Sequence, residues 1–148
     1  MNDIQMTWQR LDDLSARTLH EIIALREAVF VVEQACAYQE TDAEDLTAWH
    51  LTLYVAGRLA GYLRLIETTE PAIGRVLIAP AFRGRGLARR LMREGLDQAR
   101  RQHGPVAVHI SAQAHLRGFY ESLGFIAISE IYLEDGIPHQ AMVFESAG

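Results

Sequence analysis

The chain has 148 residues, about half of them apolar and 22% charged, with a formal net charge of -5. Such a chain is expected to form one folded domain over residues 1–148 with a substantial core, and its acidic balance argues against a nonspecific nucleic-acid binder. The lone Cys36 cannot close an intramolecular disulfide, and no Cys/His cluster has zinc-ligand spacing, so no metal is expected. No basic segment leading into an apolar run opens the chain, and no apolar stretch is long enough for a bilayer. The expectation is a cytoplasmic protein without a membrane partner.

Residues 6–11 read as a short first strand. Asp12, Asp13 and Ser15 then offer N-cap chemistry for a helix running to about residue 32. Its apolar face is Leu19, Ile22, Ile23, Val29 and Phe30, and Arg26 and Glu33 fall on that face by spacing. A charge there needs a partner, a pocket edge, or a route to water. Residues 35–46 lack periodicity and carry Glu40, Asp42, Glu44 and Asp45, which reads as an acidic loop, in the commoner case solvated. Residues 49–56 and 59–67 read as two strands joined at Gly57-Arg58.

The stretch over residues 73–94 organises the rest. Val76-Leu77-Ile78 is a buried strand that Pro80 ends. Arg83-Gly84-Arg85-Gly86 is a basic turn. A helix follows, with Ala88, Leu91, Met92, Gly95, Leu96 and Ala99 on one face. Unpaired N–H groups at a helix start, glycines that let a ligand approach the backbone, and arginine forks together suit a phosphate or pyrophosphate. A Walker loop needs Lys-Ser/Thr where Leu87-Ala88 stands, and a dinucleotide fingerprint needs a third glycine.

The helix is expected to stop near Gly104-Pro105. Residues 106–111 form a strand, and residues 113–123 a second short helix closed by Gly124. Residues 125–132 and 139–144 are strands around Glu134-Asp135-Gly136, where Asp-Gly is a hairpin signal. The order β-α-β-β-β-α-β-α-β-β predicts an α/β fold, a mixed sheet with helices packed on it.

Arg83, Gly86 and Ala88 match the Arg/Gln-x-x-Gly-x-Gly/Ala motif, and the turn resembles the acetyl-CoA-binding motif of the GNAT N-acetyltransferases. Phe119, Tyr120, Gly124 and Phe125 match a second motif of that family, while Gln113 stands at its asparagine position and Leu116 at its alanine position. LREAVFVVEQACAYQETDAEDL, AQAHLRGFY and EDGIPHQAM resemble the ElaA group within it.

The resemblance implies a GNAT-type, mostly antiparallel sheet and direct acetyl transfer from acetyl-CoA to an amine of a small molecule or a protein. Backbone amides across Arg83, Gly84, Arg85, Gly86, Leu87, Ala88 and Arg89 would hold the pyrophosphate. Val76, Leu77 and Ile78 would pair with the pantetheine arm, with an N–H near Leu77 facing the carbonyl oxygen as charge develops. Gln113 would contact the cofactor, and Tyr120 would protonate the leaving thiolate. Glu33 is the first candidate for the base, followed by His139 and Glu40. A silent CoA-binding module and an acyl-homoserine-lactone-synthase-like enzyme are the rival readings, and an edge strand leaves a homodimer open.

Overall fold

The computed structural model describes residues 3–145. Eight strands form one sheet in the order β1-β2-β3-β4-β5-β8-β6, with β7 also paired to β8. They are β1 (Ile4–Arg10), β2 (Trp49–Val55), β3 (Arg58–Ile66), β4 (Ala72–Ile78), β5 (Ala107–Gln113), β6 (Ile126–Ala127), β7 (Tyr132–Glu134) and β8 (Ile137–Glu145). All neighbours run antiparallel except β4 and β5, which are parallel and matched at a single pair, Ala72 with His109. Beyond that pair the two strands part, and one edge of β4 is left without a strand.

Side-chain alternation divides the sheet into two faces. Leu51, Leu53, Leu63, Leu65, Ile110 and Met142 pack with Leu91 and Met92 of α2 (Leu87–His103) in the main core. On the other face, Tyr62 and Leu77, which are cross-strand partners, pack with Ile22 and Val29 of the N-terminal helix. That helix starts as α1 (Ala16–Arg26), capped by the Ser15 hydroxyl accepting from Thr18 N–H at 3.0 Å. It continues as a π-helical turn over Glu27–Glu33, with Gln34 and Cys36 donating five residues back to Val29 and Val31. No helix among the described residues is long and apolar enough to cross a membrane.

Three expectations need correction. The joint of the first hairpin is Ala56-Gly57, because Val55 already pairs with Arg58. Gln113 ends β5 instead of opening a helix, and the helix that follows, α3, is short (Arg117–Ser122). The strand expected over residues 125–132 is two pieces, β6 and β7. Between them the Ser129 hydroxyl takes the Ala141 N–H at 3.0 Å, a donor that a continuous strand would have used.

Candidate active site

The opening between β4 and β5 leads into a cleft of about 460 Å³. Its walls come from β4, β5, the segment after α1, the β7–β8 hairpin and Tyr120 of α3. Sequence and geometry agree on why β4 is irregular. Tyr62 pairs with Leu77 and Arg64 with Gly74, so two steps along β3 meet three along β4. The extra residue is a bulge, and Arg75 sits in it with φ of +53°. A bulge turns backbone groups out of the ladder, here beside the unpaired edge of β4. Gly74 within a strand was the signal that could have located it.

At the end of β4, Pro80–Phe82 forms one tight turn and the chain enters α2 through Gly84 and Gly86. Both glycines lie in the left-handed region (φ of +80° and +75°), and a Cβ on either would meet nothing within 4 Å. The turn is therefore an open cradle of backbone donors at the start of a 17-residue helix. Arg85 lies over the Phe82 ring, and Arg89 lies over Phe119 and donates to the Ser122 hydroxyl at 2.9 Å. Leu87 is buried and Ala88 half-buried, so their side chains face the protein and only their backbone is available to a ligand. Arg83 is exposed. Its Nε donates to the Ile78 carbonyl at 3.0 Å and its fork to both oxygens of Glu33, at 2.7 and 2.9 Å.

This changes the position of Glu33. Regular helical spacing puts it on the inward face with Arg26, but the π-helical turn alters the phase of the last residues, and Glu33 is exposed. The Arg83 guanidinium holds its carboxyl below the usual range, which favours the charged form and weakens it as a proton acceptor.

Arg26 and the acidic loop also depart from the commoner reading. Arg26 is only 2% exposed, and Glu40 and Asp45 are buried around it. Arg26 Nε donates to Glu40 at 2.6 Å and its Nη1 to Asp45 at 2.9 Å. Arg64 donates to Asp42 at 2.6 Å and to Asp45 at 2.9 Å, and Arg75 to Glu40 at 3.0 Å. Three guanidinium groups thus meet three carboxylates: Glu40 and Asp45 of the loop turn inward onto arginines, Asp42 pairs at the surface, and Glu44 stays exposed. Burial pushes the Asp45 carboxyl up, but hydrogen bonds from Arg26 and Arg64 outweigh it and hold the group below its usual value. Glu40, with both oxygens occupied by Arg26, Arg75 and the Tyr38 hydroxyl, is tied up structurally. The cluster also fixes Arg75 in the bulge.

Tyr120 lies in the cleft wall, packed edge-on against Phe119 and Phe125. No hydrogen bond to its hydroxyl forms among the described residues, and burial pushes the phenol up to about 12. It therefore stays protonated at neutral pH. Gln113 reaches into the same cleft and donates to Gln34 at 3.3 Å. Val76 lines the cleft, whereas Leu77 points its side chain into the core under α1 and pairs with Tyr62 of β3.

An acetyltransferase (GNAT) domain model matches residues 12–146. The chain belongs to the GNAT family. Its fold superposes on an acyl-CoA N-acyltransferase from Pseudomonas aeruginosa with a TM-score of 0.91 and 41% identity, over 96% of this chain and 99% of that one. Escherichia coli ElaA is 41% identical over 93% of this chain and 95% of its own length, and its crystal structure also superposes with a TM-score of 0.91. The relation to the ElaA group of GNAT proteins is thus shown across nearly the whole chain. The AHL synthase LasI shares the fold (TM-score 0.83) at 14% identity.

Proposed function

We propose that this GNAT protein transfers an acetyl group directly from acetyl-CoA to a primary amine. The observation that carries the reading is one cleft lined by the bulged strand β4 and by Tyr120, with β4 running on through Pro80–Phe82 into the glycine cradle at the start of α2.

Each part of the chain has a task. The backbone N–H groups from Gly84 to Arg89 hold the pyrophosphate, the Arg83 N–H being turned back to the Pro80 carbonyl, and Arg85 and Arg89 add positive charge beside them. The edge of β4 at Val76, Leu77 and Ile78 pairs with the amides of the pantetheine arm as an added strand would, once Arg83 Nε releases the Ile78 carbonyl. An N–H near Leu77, turned out by the bulge, donates to the carbonyl oxygen as it gains charge. Gln113 adds a side-chain amide at the end of β5. Tyr120 gives its proton to the departing sulfur, a role that needs the phenol neutral, as its raised pKa keeps it. Arg83 must exchange Glu33 for the ligand, which makes Glu33 a competitor for that guanidinium.

Titration calorimetry with acetyl-CoA, free CoA and ATP tests the reading. Micromolar binding of acetyl-CoA, none of ATP, and loss of acetyl-CoA binding in Gly86→Asp are expected. Equal affinity of Gly86→Asp and the unaltered protein would remove the assignment of the cradle.

A further inference from the structure

The β7–β8 side of the cleft carries a second constellation. His139, at the start of β8, is buried, and its Nδ1 lies 2.7 Å from the Ile137 carbonyl. A carbonyl can only accept, so Nδ1 carries the hydrogen and the lone pair sits on Nε2. Nε2 lies 3.5 Å from Glu134 Oε2. The other oxygen of Glu134 accepts from the Ser111 hydroxyl at 3.2 Å, and that hydroxyl is bonded in turn to the Tyr132 hydroxyl. Tyr132 stacks on the His139 ring. The Asp135-Gly136 turn sets this geometry by folding β7 back on β8, with Glu134 paired to Ile137 and Tyr132 to His139. The Cys36 thiol, donating to the Asp135 carbonyl at 3.2 Å, ties the turn to the segment after α1.

We propose that His139 is the catalytic base for the acceptor, and that the site takes a primary amine arriving as its ammonium ion, with no carboxylate near the nitrogen. This rests on the acetyltransferase reading and extends it to the acceptor. The titratable groups that share the His139 pocket are Glu134 and Tyr132 on β7, Asp135 in the turn, Cys36 and Tyr38 after α1, Arg64 on β3, Arg75 on β4, His109 on β5 and Tyr120 of α3. Arg64 and Arg75 are matched by Asp42, Asp45 and Glu40, and His109 lies against Glu70, so the unmatched charge around His139 is that of Glu134 and Asp135, both negative. An ammonium ion is drawn to that wall, and a carboxylate is repelled.

Protons and electrons balance as follows. His139 Nε2 takes a proton from the ammonium ion, and Glu134 stabilises the imidazolium that forms. The freed nitrogen lone pair forms the C–N bond to the thioester carbonyl carbon. The C–S bond breaks with its electron pair on sulfur, which takes the Tyr120 proton. The nitrogen, now an amide with one proton in excess, returns that proton to the Tyr120 phenolate. His139 releases its own to solvent, the one proton produced when an ammonium ion becomes an amide. Glu134 is a positioning residue that acts through His139.

The test is thiol release from acetyl-CoA with n-butylamine and with 4-aminobutyrate, after acetyl-CoA affinity has been measured for each variant. We expect n-butylamine to be preferred by about tenfold or more. His139→Gln should lose about 100-fold or more in kcat with acetyl-CoA affinity retained. Glu134→Gln should lower kcat for n-butylamine with acetyl-CoA affinity retained, and Glu134→Asp should recover most of the loss. Unaltered kcat in both His139→Gln and Glu134→Gln, or a preference for 4-aminobutyrate, would overturn the proposal. If acetyl-CoA binds and neither amine reacts, nitrogen NMR of the His139 ring decides. Hydrogen on Nδ1 and a ring shift on adding n-butylamine would support the site, and hydrogen on Nε2 or no shift would overturn it. Absence of acetyl-CoA binding would instead be a failure of the acetyltransferase reading.

Discussion

Strand β3 has two unlike faces. Leu63 and Leu65 turn toward α2 and meet only apolar neighbours; α2 comes so close that a Cβ on Gly95 would lie 3.2 Å from Leu63 and 2.9 Å from Ile73. Tyr62 and Arg64 turn toward α1, where Arg64 is bound to Asp42 and Asp45, and Tyr62 to His50 at 2.5 Å. The first face is held by removing apolar surface from water, about 1.5–3 kcal/mol for each large side chain. The second must recover the cost of taking Arg26, Glu40, Asp45 and Arg64 out of water, which only complete pairing can do. The cleft lies on the charged side, and the cluster that satisfies those charges also fixes Arg75 in the bulge of β4. Charge on this face therefore shapes the edge of β4 proposed to take the acyl donor.

Breaking the charged face should have the largest effect. Arg26→Met leaves Glu40 and Asp45 buried without their main partner and is expected to cost about 3–5 kcal/mol, read by denaturant unfolding. Leu91→Ala on the apolar face should cost about 2–5 kcal/mol. The two losses should differ in pH dependence. Asp45 has a folded pKa below its unfolded value of about 3.9, so its contribution is complete above that value and disappears as pH falls through the folded pKa. The penalty of Arg26→Met should therefore shrink in acid, because the stranded Asp45 carboxylate takes up a proton, while that of Leu91→Ala stays constant. Parallel pH profiles for the two variants would contradict the comparison.

Smaller in structural terms, Tyr120→Phe removes a hydroxyl that makes no protein hydrogen bond among the described residues. It should leave unfolding nearly unchanged while slowing acetyl transfer by about 100-fold. Normal turnover in Tyr120→Phe would end its role as the acid. The mildest change is Glu33→Gln. Removing the carboxylate frees Arg83 for the ligand, so acetyl-CoA should bind a few-fold more tightly, and weaker binding would show that the pair instead presents the turn.

The apolar face could be read along the chain because its signal is local. Leu91, Met92, Gly95 and Ala99 recur at helical spacing, and all four are buried. The cradle was legible for the same reason, since Gly84 and Gly86 stand together just before that helix. The charged face was not. Arg26, Glu40, Asp45 and Arg64 come from a helix, a loop and a strand, and only the tertiary fold brings them together. Spacing identified Arg26 as a charge needing a partner, but it could not choose among the four acids of the loop. Glu33 was misplaced because a π-helical turn leaves no mark in a pattern read at regular helical spacing. His139 stood among the candidate bases, but its tautomer depends on the Ile137 carbonyl, and its carboxylate partner on a turn whose Asp-Gly alone was visible.

The central claim is that the unpaired edge of β4 and the turn after it receive the acyl donor. Amide hydrogen exchange of the purified protein, with and without acetyl-CoA, tests this most directly. The account predicts slowed exchange over residues 74–78 and 83–89, with α1 unchanged. Unchanged exchange in both segments at saturating acetyl-CoA would contradict it.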